Sequence, residues 1–122
     1  MNASRHGPKI SGAEAAVIEA ARGRMVARHR LIEGMIRNNE LQLKNESARG
    51  GAEIERECAR RDASAPGAGP DAAAELVAVS RRLEALNDEH RRLVSEREFL
   101  NSSLLEFESG ASHEEHSRAG HS

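Results

Sequence analysis

Three groups of residues carry side chains able to do chemistry. His113, His116 and His121 stand near the C-terminus with Glu114 and Glu115. A His-x-x-His step brings two imidazoles together on a helix, where they suit zinc or nickel. Closing such a site in a polar tail costs ordering entropy, and no cysteine joins it, so the spacing predicts adventitious binding and no structural metal. Cys58 is the lone thiol, in a charged, solvated stretch without the apolar pocket that catalysis needs. Arg22, Arg24, Arg28, His29 and Arg30 could meet phosphate. At 100° per residue they spread around a helix, and no aromatics lie among them for base stacking. No catalytic residue, cofactor or small-molecule substrate is expected.

The polar residues that matter more interrupt an apolar repeat. With Leu76 at heptad position a, the a row reads Leu76, Leu83, His90, Arg97 and Leu104, and the d row Val79, Leu86, Leu93, Leu100 and Phe107. One helix cannot cover such a seam by itself, so the repeat predicts pairing with a second helix, from this chain or another. Polar a residues cost stability and can select register and strand number. Arg97 can instead lay its stem along the seam and return its charge to water. In a parallel dimer two His90 rings would meet, and charging both at mildly acidic pH would weaken association. The g positions Glu75, Arg82, Glu89, Glu96 and Ser103 face the largely neutral e positions Ser80, Asn87, Val94 and Asn101, so g-to-e pairs do not define a homodimer. Glu96 can reach Arg97 of a partner helix. Phe99, at c, is off the seam and is the first choice for an external contact.

These residues need an elongated all-α coiled coil with two helical segments and a disordered linker and tail. Residues 1–10 read as a flexible lead-in. Ser11-Gly12-Ala13-Glu14 has capping-box spacing and opens an amphipathic helix over 11–44. There Val17, Ile18, Ala21, Met25, Ile32, Met35, Ile36, Leu41 and Leu43 recur at three, four and seven, with Ile18, Met25 and Ile32 in one heptad row. Gly50-Gly51 predicts a break. Residues 45–70 read as a charged stretch and a Pro/Gly/Ala linker, where Pro66 and Pro70 forbid a continuous helix. Asp71 opens a coiled-coil helix over 71–108, free of Gly and Pro, and Ser109-Gly110 closes it before a disordered tail, 109–122. The linker also allows Ile18 to Leu43 to fold back over the coil.

Composition agrees. Only Phe99 and Phe107 are aromatic, charged residues make up 31%, and the net charge is −2. No global field draws the chain to nucleic acid or anionic membrane. The single cysteine excludes an internal disulfide and fits the cytosol. Met1-Asn2-Ala3-Ser4-Arg5 lacks a signal peptide's apolar run, and no stretch approaches the roughly 18 apolar residues of a membrane span. Membrane contact is peripheral at most.

The run from Arg82 to Leu100, RLEALNDEHRRLVSEREFL, resembles the core of the short coiled-coil protein family. It shares two apolar layers, a polar a, a Leu-x-Ser-Glu step, a second polar a and a hydrophobic residue before Leu. The family prefers Asn where this chain has His90 and Arg97. The resemblance implies a peripheral Golgi scaffold in membrane traffic or autophagy, partnered by an Arf-like small GTPase. The reading is a non-enzymatic coiled-coil scaffold that binds itself or another coiled-coil helix through the 76–107 heptads. Its alternative is a basic-helix binder of nucleic acid or anionic membrane through residues 22–37.

Overall fold

Ser11 starts the first helix. Its backbone is extended and its hydroxyl accepts from the Glu14 amide at 3.0 Å, which satisfies one of the amides a first turn leaves open. The computed structural model describes residues 10–120, with side chains over 10–110. In it α1 spans Gly12–Ser64, 53 residues, or about 80 Å at 1.5 Å per residue. A second helix, α2, spans Pro70–Gly120. All secondary structure among the described residues is helical. Most of the lead-in, the side chains of His113 and His116, and His121 lie outside the described residues.

Five residues join the helices. Ala65-Pro66-Gly67-Ala68 makes a turn closed by the Ala68 amide donating to the Ala65 carbonyl at 3.1 Å. Pro66 fixes the first central φ, and Gly67 takes φ +78, as the third position of a type II turn requires. Pro70 then opens α2, where a missing N–H costs nothing, and Asp71 lies at the positive helix end.

Two expected boundaries are therefore corrected. The first helix does not end at 44, and the linker is not 45–70: α1 continues through Gly50-Gly51 to Ser64. Two interior glycines cost about 2 kcal/mol together. Ala52 and Ala59, both buried, offset this by seating α1 against α2, since packing contributes more to helical stability than propensity does. Glu57 adds ion pairs with Arg60 at 2.7 Å and Arg61 at 3.4 Å. The Arg60 hydrogen bond, and then the charges of Arg60 and Arg61, hold the Glu57 carboxyl down to about 2. Likewise α2 does not stop at Gly110 but runs on to Gly120. One interior glycine costs only about 1 kcal/mol, and Ala111, Glu114, Glu115 and Arg118 beyond it are good helix formers.

Nothing lies within 4 Å of a Cβ built at Gly50 or Gly51. Gly50→Ala and Gly51→Ala are each expected to stabilise the hairpin by about 0.5–1 kcal/mol, read as a raised thermal midpoint.

Candidate helix-pairing interface

Two asparagines set how the helices meet. Asn38 Nδ2 donates to the Leu93 carbonyl at 2.9 Å and to Glu96 Oε1 at 3.0 Å. Asn45 Nδ2 donates to the Leu86 carbonyl and to Glu89 Oε1, both at 2.9 Å. A step of seven forward in α1 matches seven backward in α2, so the helices run antiparallel in heptad register. The same step puts Ala52 level with Val79, Ala59 with Ala72, and Leu31 with Leu100.

Both asparagines are sealed from water, Asn38 at 0% and Asn45 at 1% exposed. A buried amide without partners costs several kcal/mol, and here each is saturated from both sides. Asn38 Oδ1 accepts from Gln42 Nε2 at 2.6 Å, and Asn45 Oδ1 from Arg49 Nε at 2.8 Å. The carboxylate on the donor side makes each rung charge-assisted, and so stronger than a neutral pair. These rungs were missed because a search for apolar periodicity passes over amides. The available signal was the heptad row Asn38, Asn45, Ala52 and Ala59, small or polar at every step.

On α2 the seam lies where its spacing put it. Val79, Leu83 and Leu93 are buried, and Leu76, Leu86, Leu100, Leu104 and Phe107 are half-buried. His90 and Arg97 are half-buried in the same line. Arg97 bonds the Met35 carbonyl at 3.3 Å and Asn39 Oδ1, both on α1. Glu96 is engaged by Asn38. The Nδ1 atom of His90 is buried without a hydrogen-bond partner, on a depression shared with Gln42 and Arg49. Phe99 stands exposed, apart from the seam. At the flanks Arg82 pairs with Glu55, and Arg28 with Glu108 at 3.4 Å.

The inner face of α1 differs from expectation. Of the aliphatic repeat that could fold back over the coil, Ile32 and Met35 are half-buried, but Ile18, Met25, Ile36 and Leu43 point to solvent. The face turned to α2 carries Asn38, Gln42, Asn45, Arg49, Ala52 and Ala59. Buried amide rungs fix register in a way an aliphatic row cannot, since every heptad slip of Leu on Leu is nearly isoenergetic. Small residues also let the helices approach closely; a Cβ at Gly34 would lie 3.3 Å from Leu100 Cδ2.

The basic cluster forms no single stripe. Arg22 pairs with Glu19 at 3.4 Å and His29 with Glu33 at 2.8 Å, while Arg28 is the residue paired with Glu108. Cys58 is exposed. Among the described residues no group of three or more His, Cys, Asp or Glu is placed to hold a metal, and no described helix is long and apolar enough to cross a membrane. No family model matches the chain, and neither a curated protein nor a solved structure proves similar to it.

Proposed function

We propose that the chain is a non-enzymatic interaction protein whose pairing surface is the α2 seam, with α1 as an internal cover that a better-matched helix can replace. The observation that carries this reading is the mismatch across the hairpin. Val79, Leu83 and Leu93 are buried, but Leu76, Leu86, Leu100, Leu104 and Phe107 keep part of their aliphatic or aromatic surface in water, because the facing side of α1 offers Asn38, Asn45, Ala52 and Ala59 in place of large apolar residues. A partner presenting Leu or Ile at those levels would cover more, at roughly 25 cal/mol per Å². The partner is a second copy of the chain or another coiled-coil helix.

The resemblance of Arg82–Leu100 to the short coiled-coil family extends the proposal to a cytoplasmic, peripheral Golgi adaptor. There an Arf-like small GTPase could use the exposed Phe99. Pairing of Arg22 and Arg28 with Glu19 and Glu108 counts against the alternative, a basic helix reading nucleic acid or anionic lipid through residues 22–37. Binding that falls steeply with added salt would favour that alternative.

A reversible staple tests the cover. Gly34→Cys with Leu100→Cys, in a Cys58→Ser background, uses a point where a Cβ at 34 lies 4.0 Å from Leu100 Cγ. A fluorescent peptide of residues 71–107 is titrated by anisotropy into the reduced and oxidised protein. Saturable binding when reduced, weakened at least about tenfold when oxidised, is expected; equal binding in both states refutes exchange at the seam.

A further inference from the structure

The aliphatic residues that α1 turns away from α2 form a line of their own. Exposed Ile18, Met25, Ile36 and Leu43, together with half-buried Ile32 and Gly50, stand at positions 18, 25, 32, 36, 43 and 50, separated by 7, 7, 4, 7 and 7 residues. Eighteen residues make five turns at 3.6 per turn, so Ile18, Ile36 and Ile54 fall on one line and Met25 and Leu43 on another beside it. At 100° per residue all six positions stay within about 40° of arc. Between 46% and 72% of Ile18, Met25, Ile36 and Leu43 lies in water.

From this geometry we infer that the outer face of α1 is a two-fold interface with a second copy of this chain, the two α1 helices crossing antiparallel. The spacing is the same in either direction about the point between Ile32 and Ile36. Turning one copy end for end therefore sets Ile32 against Ile36, Met25 against Leu43, and Ile18 against Gly50, where the missing side chain leaves room. Each pair then occurs twice, as an isologous contact requires.

The area suits a pair that forms and parts. A fully buried aliphatic side chain removes roughly 60–120 Å² from water. Covering the exposed parts of four such residues on each copy removes on the order of 500 Å², which with a polar rim of similar size approaches the roughly 1,200 Å² at the low end of specific interfaces. The rim carries Arg22, Arg28 and Lys44 beside Glu33, Glu40 and Glu46. Such a balance suits a protein neighbour and opposes adsorption to anionic lipid. The interface does not involve the α2 seam, so it stands or falls apart from the exchange proposed above.

The test uses the full chain. Sedimentation over a concentration series is expected to show a monomer–dimer equilibrium, and Ile36→Asp with Leu43→Asp to weaken it at least about tenfold with helical circular dichroism unchanged. In a Cys58→Ser background, Met25→Cys and Leu43→Cys proteins are expected to form a mixed disulfide when combined and no disulfide dimer when oxidised separately. A wild-type monomer at every concentration overturns the inference, as does a dimer indifferent to the aspartates. Separate homodisulfides overturn the antiparallel arrangement. A monomer that instead binds phosphatidylserine vesicles through Ile36 and Leu43 assigns the face to lipid and overturns it too.

Discussion

Leu83→Ala is expected to lower the unfolding free energy of the full chain by about 2–3 kcal/mol, read as a fall in the urea midpoint with the slope unchanged. Leu83 is one of three seam aliphatics that are buried, with Val79 one turn before it and Leu93 further along α2. Truncation removes its transfer free energy and leaves a gap between two helices. Core Leu→Ala changes span about 2–5 kcal/mol. A single seam open on two sides lets water reach the gap, which places this site in the lower part of that range. Small domains have about 5–15 kcal/mol in total, so the loss is a large share of what holds the hairpin. Phe99→Ala is the control. That ring is exposed, and its loss is expected to stay within about 0.5 kcal/mol. Equal effects at the two positions would mean the seam is not the core.

The second large effect is at the asparagine rungs, where two substitutions act in opposite directions. Asn38→Ala takes the donors from Leu93 and Glu96 and the acceptor from Gln42, leaving partners short of bonds in a site closed to water. The expected cost is about 1.5–3 kcal/mol, the range for a hydrogen bond to a charged group. Replacing Asn38 and Asn45 together by Leu removes both polar demands and fills the space with matching aliphatic surface. That double variant is expected to denature later than wild type, yet to sediment as several species, because the devices that reject slipped registers are gone. A double variant that is both more stable and a single species would show that the rungs do not set the alignment.

The parts of this fold that were legible in the sequence are those written in aliphatic residues or in backbone chemistry. The α2 seam was readable because Leu76, Val79, Leu83, Leu86, Leu93, Leu100, Leu104 and Phe107 keep one period. The interruption was readable because Pro66 and Pro70 forbid a continuous helix, but its tightness was not, since 45–70 read as one long linker and the five-residue reversal at Gly67 needs the structure. The inner face of α1 was not, because Asn38 and Asn45 look like surface residues until their partners, more than forty positions away, are known. The aliphatic row Ile18, Met25 and Ile32 drew the reading to the opposite face. Gly50-Gly51 misled for a related reason. Local propensity marks a break there, and only the docking of Ala52 and Ala59 against the other helix outweighs it. Which face of a helix is inner is a property of the pair, and one strand of residues does not contain it.

The tight reversal at Gly67 sets the start of α1 and the end of α2 together at the far end of the rod. Tension between domains fused to those ends would load the layers in series, peeling Phe107 and Leu104 first and reaching the turn last. Resistance would come in two small steps, as the Asn38 and then the Asn45 rung gave way. The molecule would thus yield at low force when pulled by its ends, one layer at a time.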